Sequence, residues 1–116
     1  MHKKLDVWQN AMLLVTDVYA LTRSFPSDEQ FGLTNQLRRA VVSIPSNIAE
    51  GAARQSEREL IQFLYIALGS CSEAETQVLI ARNLGYVESV DHVFQKLQQI
   101  KKMLLGLIKS KKQGMK

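Results

Sequence analysis

Apolar residues recur at steps of three and four in four separate stretches of this chain, the spacing that lines one face of a helix. In the first, Leu5 to about Ser24, the stripe is Trp8, Met12, Val15 and Tyr19, widened by Ala11, Leu14, Val18 and Leu21. Phe25-Pro26-Ser27-Asp28 breaks that helix, because a residue before proline avoids helical backbone, and Ser27 or Asp28 is placed to cap a short turn leading to Gly32. The second stretch carries Leu33, Leu37, Ala40, Val41, Ile44, Ile48 and Ala52 and runs to about Glu50 or Ala53. The third opens at Ser56-Glu57-Arg58-Glu59, a capping box in which the serine hydroxyl accepts the N3 amide and Glu59 reaches back to the N-cap N–H. Its seam of Leu60, Leu64, Ala67, Cys71, Ala74, Val78 and Ala81 is heptad-like and rich in small residues, which lets a neighbouring helix approach closely. Asn83-Leu84-Gly85-Tyr86 reads as a Schellman ending. Glu88 or Ser89 opens the fourth helix, with Val90, Val93, Leu97, Ile100, Leu104 and Leu107 in its stripe and Phe94, Met103 and Ile108 beside it.

Four helices with short links, and no alternating runs bounded by hairpin turns, predict an all-α fold: an antiparallel up-down-up-down four-helix bundle forming a single domain over residues 1–116. Pro45 falls inside the second helix, where it gives no N–H to the Val41 carbonyl and costs ~3 kcal/mol in a regular helix, so a proline kink in helix 2 is expected. Ser43, Ser46 and Asn47 surround it and are candidates to satisfy the freed carbonyl or to cap a restarted helix. Helix 3 carries a second apolar set, Ile61, Tyr65, Leu68 and Leu79, pointing well away from its seam. That excess predicts a homo-oligomer with Ile61, Tyr65 and Leu68 as candidate interface residues.

Composition changes this picture little. A chain of 116 residues suffices for one core without disulfides or metal. The single cysteine, Cys71, lies in the apolar seam and reads as a buried small hydrophobe in a reducing compartment. No signal-peptide pattern develops after Lys3 and Lys4, and no uncharged run reaches the ~18–20 residues of a membrane span, so a soluble, cytoplasmic protein is expected. A di-iron bundle would need Glu-x-x-His pairs, but neither His2 nor His92 follows a glutamate at that spacing. Glu73, Glu75 and Arg82 suit a structural ion-pair network, within the chain or across a subunit interface, better than acid–base chemistry. With no catalytic triad and no phosphate-binding glycine loop, no enzyme activity and no cofactor are expected.

GLTNQLRRAVVSIPSNIAEGAAR followed by LIQFLYIALGSCSEAETQVLIARNLGY resembles the S23 ribosomal-protein family, four-helix-bundle proteins encoded by intervening sequences within bacterial 23S rRNA genes. Ser43 to Gly51, SIPSNIAEG, is the most specific part of that resemblance. The group is similar to the accessory variability protein of diversity-generating retroelements. The resemblance implies a homopentameric ring and, for the retroelement branch, binding to nucleic acid and to a reverse transcriptase. It supplies no catalytic residues, and within matching segments only Arg38, Arg39 and Arg54 stand out as basic contacts.

Charge then matters through its placement. Lys+Arg exceed Asp+Glu by 15 to 11, a formal charge of +4, yet from Lys96 onward there are seven lysines and no acid. An antiparallel bundle would bring this tail beside Lys3, Lys4, Arg54 and Arg58, an end that Asp6, Glu50, Glu57 and Glu59 partly offset. The candidate nucleic-acid contacts are therefore Lys3, Lys4, Arg38, Arg39, Arg54, Arg58, Lys101, Lys102, Lys109, Lys111 and Lys112. Lacking the aromatics of an RNA-recognition motif, they are expected to hold RNA or DNA by phosphates, with little base readout. A protein-interaction scaffold without direct nucleic-acid binding is the alternative.

Overall fold

The computed structural model describes residues 5–115. Among them are four α-helices and no strand: α1 (Asp6–Thr22), α2 (Leu33–Ala52), α3 (Glu57–Asn83) and α4 (Asp91–Gln113), with a 3-10 turn at Ser27–Glu29 between α1 and α2. Each helix packs on the next, and α1 also packs on α4, giving a four-helix bundle 49 × 22 × 20 Å in extent.

The core follows the periodic pattern most closely in α3, where Leu60, Leu64, Ala67, Cys71, Ala74, Val78 and Ala81 are all buried. Burial pushes the Cys71 thiol up to about 12, and the charge of Glu75 one turn away adds to the effect, so the group stays a neutral apolar filler. In α1 the expected order of stripes is reversed. Val7, Ala11, Leu14 and Val18 form the core face, while Trp8 and Val15 are half-buried and Met12 and Tyr19 exposed. The two stripes lie side by side on the helix, and only the position of α2 and α4 decides which is covered. The α4 stripe runs through Leu104 to Ile108, leaving Leu107 half-buried, as 3.6-residue periodicity favours a final step of four.

Local geometry ends the helices much as their end residues dictate. Ser56 Oγ accepts from the Glu59 amide at 3.1 Å, although Glu59 returns to the serine hydroxyl at 3.2 Å and not to the N-cap amide. At the end of α3, Gly85 takes φ +80°, its N–H donates to Arg82 O, and Tyr86 N–H donates to Ala81 O at 3.0 Å, the two bonds of a Schellman motif. Neither Ser27 nor Asp28 caps the turn before α2 through its side chain. Glu29 does the capping instead, with Oε1 accepting from the Leu33 amide at 3.0 Å and Oε2 accepting the Tyr86 hydroxyl at 2.7 Å. The Leu33 bond first, and the Tyr86 bond second, hold the Glu29 carboxyl below its ordinary range. Helix α2 continues across Pro45, which is buried; Asn47 Nδ2 donates to Ser43 O and Ser43 Oγ at 2.8 and 2.9 Å, not to the Val41 carbonyl. Ser43 Oγ in turn meets Ser70 Oγ at 2.8 Å, tying α2 to α3 by a polar contact inside the helix interface.

Between α1 and α4, Asp17 pairs with Lys96 at 2.5 Å, with His92 Nε2 at 3.3 Å beside it. The Lys96 hydrogen bond is the main cause of a lowered Asp17 pKa, and burial opposes it. A depressed folded-state pKa stabilises the fold above the unfolded carboxylate pKa and is lost as pH falls through the folded value. Asp17→Asn is therefore expected to lose at most ~1 kcal/mol at neutral pH, the scale of a part-exposed pair, and to show a shallower loss of stability below about pH 4. Urea midpoints measured from pH 2 to 7 on both proteins check this, and parallel acid limbs would show that Asp17 is not a source of the acid sensitivity.

Candidate nucleic-acid interface

Leu5, Gly51, Ala52, Arg54, Glu57, Leu60, Leu107 and Lys111 line one cavity of about 220 Å³, which places the start of α1, the end of α2, the start of α3 and the end of α4 at one end of the bundle. The approach of α2 to α3 there is close enough that a Cβ on Gly51 would lie 2.8 Å from the Phe63 Cβ. This is the end at which the sequence places its cations. Lys3 and Lys4 lie outside the described residues.

The described candidates divide by whether a carboxylate already holds them. Arg54 pairs with Glu50 at 3.0 Å and Glu59 at 3.9 Å and covers the Phe63 ring at 4.9 Å. Lys111 reaches Glu57 at 3.6 Å. Lys101 corrects its expected role, since its Nζ donates to Glu75 Oε1 at 2.9 Å, and Gln98 Nε2 makes a short bond to the other carboxylate oxygen. Glu75 is only 8% exposed, so Lys101 serves as the counter-ion of a buried carboxylate and is committed to the fold. Glu75 thus takes part in a structural ion pair, with partners that come from α4 and not from Arg82 of its own chain.

Arg58, Lys102 and Lys109 are exposed and, among the described residues, have no carboxylate within ion-pair distance, and Lys112 contacts only an aromatic residue. Lys112 Nζ lies 2.8 Å from the Tyr65 hydroxyl and 5.1 Å from the ring centroid. Tyr65, Leu105, Ile108, Lys109, Lys112 and Gln113 together line a cleft of about 450 Å³ between α3 and α4. Helical spacing places Arg58 on the same face of α3 as Tyr65, and Lys102 on the same face of α4 as Lys109, so all four cations look out over one α3/α4 surface. Roughly 15 Å of helix axis separates Lys102 from Lys112.

Arg38 and Arg39 belong to a separate place, roughly 20 Å along α2 from the bundle end. Arg38 is braced within the fold, its Nε donating to Thr22 Oγ1 at 2.9 Å and its guanidinium lying 4.4 Å from the Tyr19 ring centroid. Arg39 is exposed and faces two adjoining clefts with Asn35 and Ser43, one of them shared with Glu73.

Two site features escape sequence reasoning. Tyr65 joins the cationic cleft although its spacing assigns it to an oligomer interface. Leu105, off the buried stripe but one and two turns before Lys109 and Lys112, is the signal that could have shown it. Ile61, the first candidate interface residue, is buried at 8% exposure inside this chain and packs in its core, so a neighbouring subunit has little of it to cover; Leu68 is half-buried. Of the three candidates Tyr65 is exposed, and further exposed apolar residues include Met12 and Leu13 on α1, Phe31 before α2, and Ile66 and Ile80 on α3.

Among the described residues no cluster of His, Cys, Asp and Glu is placed to hold a metal ion, and no helix is long and apolar enough to cross a membrane. These features define a four-helix-bundle protein with four unpaired cations on one α3/α4 face, apart from the unpaired Arg23, Arg39 and Arg82 elsewhere among the described residues. The chain belongs to the family described as 23S rRNA-intervening sequence protein, whose profile matches residues 3–106, stopping short of Lys109, Lys111 and Lys112. Its fold is similar to the crystal structure of a protein with unknown function from the S23 ribosomal protein family of Bacteroides thetaiotaomicron VPI-5482, at 24% identity, a TM-score of 0.79 and coverage of 89% of this chain and 98% of that one. A search of curated proteins finds no match.

Proposed function

We propose that this protein is a non-enzymatic, self-associating four-helix bundle that binds nucleic acid by phosphate contacts. The observation that carries the reading is the α3/α4 face, where Arg58, Lys102, Lys109 and Lys112 lack carboxylate partners among the described residues while neighbouring cations are neutralised. Unpaired surface cations on one face attract a polyanion and release its counter-ions, whereas paired ones contribute little. Self-association rests on exposed apolar side chains, Leu13 at 60% and Ile66 at 51% among them, and copies of the face brought together would add their fields. The same exposed residues favour the second reading, a protein-interaction scaffold.

The test is a salt titration of labelled oligonucleotide binding by the wild type and by Lys102→Gln/Lys109→Gln/Lys112→Gln. Each lost phosphate contact is expected to shallow the slope of log K against log salt by about 0.7–0.9, with the helical fold unchanged. Arg54→Gln, already paired with Glu50, is expected to shift the slope less than any one of these lysines. If the folded wild type binds neither single-stranded nor duplex oligonucleotide at low salt, the scaffold reading replaces this one.

A further inference from the structure

Resting on the nucleic-acid reading, we infer that the cleft at Tyr65 seats one unstacked nucleobase, which makes the preferred ligand of the basic face single-stranded. Tyr65 is 44% exposed, so much of its ring is open to solvent on a helix surface, and Leu105 and Ile108 give the cleft an apolar floor. Lys109 and Lys112 stand at its rim, one turn apart on α4, and neither is tied to a carboxylate among the described residues. An aromatic ring next to two unneutralised cations matches the two parts of a single strand, a π-faced base and the phosphates on either side of it. A base in duplex is stacked on both sides and hydrogen-bonded at its edge, so it reaches such a ring only after being unpaired.

Lys112 is placed for this exchange. Its Nζ rests near the Tyr65 hydroxyl and ring by contacts that are weak at an exposed site, and its stem is long enough for the charge to turn to a phosphate when a base covers the ring. The buried acid on this side, Glu75, is covered by Lys101 and Gln98, and the exposed Glu57 is met by Lys111 at 3.6 Å, so among the described residues no carboxylate lines the cleft itself. The apolar floor is also short. One aromatic and two aliphatic side chains fit a single planar group better than the apolar face of a partner helix, which needs anchors over at least two turns.

Fluorescence anisotropy on a labelled single strand and on the same strand annealed to its complement tests this with the wild type, Tyr65→Phe and Tyr65→Leu. Circular dichroism confirms that each variant is folded. The wild type is expected to bind the single strand about tenfold or more tightly than the duplex, Tyr65→Phe to retain that preference, and Tyr65→Leu to lose roughly tenfold for the single strand with duplex affinity unchanged. Retention by leucine would show an apolar contact without stacking and overturn the inference. Equal binding of both forms by wild type and Tyr65→Leu would overturn it while leaving the phosphate-binding function standing. No binding of either form removes both. Tighter binding of polyglutamate than of either oligonucleotide assigns the face to an acidic protein and overturns it too.

Discussion

Lys101→Met is expected to destabilise the bundle by about 2–4 kcal/mol, a large share of the ~5–15 kcal/mol that holds a domain of this size together. Glu75 faces α4 with its side chain 11% exposed, and Lys101 supplies the opposing charge at 2.9 Å. Removing the ammonium leaves a desolvated carboxylate held only by the Gln98 amide. The cost is about 1 kcal/mol smaller than the ~3–5 kcal/mol for a fully buried pair because the Lys101 side chain is itself 28% exposed and water can reach the vacated position. The double variant Glu75→Leu/Lys101→Met is expected to recover most of the loss, since an apolar pair of similar volume carries no desolvation penalty. Urea unfolding followed by circular dichroism measures all three proteins. A single variant within ~0.5 kcal/mol of wild type would place the pair with ordinary surface bridges and show that Glu75 is better solvated than its burial indicates.

That pairing illustrates what periodicity conveys and what it omits. The α3 seam was legible residue by residue, because seven apolar positions at three-four steps leave one helical face for the core. In α1, two adjacent apolar stripes were both legible, but their order was not, because the covered stripe depends on where α2 and α4 lie. The Glu75–Lys101 contact joins residues 26 apart through the register of α3 against α4, which the connection from Leu84 to Val90 sets and helix spacing within either element does not. The same gap hid the division of the cations. From sequence, Lys101, Lys102, Lys109 and Lys111 are equivalent members of an acid-free tail; in the fold, Lys101 and Lys111 face acids of α3 while Lys102 and Lys109 do not. Ile61 and Tyr65 likewise shared one predicted role, and a single helical turn separates the core from a cleft open to solvent.

Glycine positions were visible from the start, but their consequences were not, and Gly51→Ala is expected to destabilise the protein by about 1–2 kcal/mol. In isolation the change favours helix by ~1 kcal/mol, since alanine orders at lower entropic cost than glycine. At this point in α2, however, the added methyl would lie 2.8 Å from Phe63 Cβ, 3.1 Å from Leu60 Cδ1 and 3.3 Å from the Leu60 carbonyl oxygen. Two of those three atoms belong to or adjoin the α3 backbone, so the first two turns of α3 must move, and overpacking of this kind costs ~1–3 kcal/mol or more. Steric cost therefore outweighs propensity. The displacement is also expected to loosen the contact between Lys111 and Glu57, which line the same end cavity. Gly69→Ala is the matched control. Nothing lies within 4 Å of a Cβ at Gly69 in mid-α3, and the same substitution there is expected to stabilise by about 0.5–1 kcal/mol. Thermal melts of the two variants should move in opposite directions from wild type. If both rise together, the ends of α2 and α3 separate without cost, and close approach at Gly51 is not what sets the geometry of the basic end.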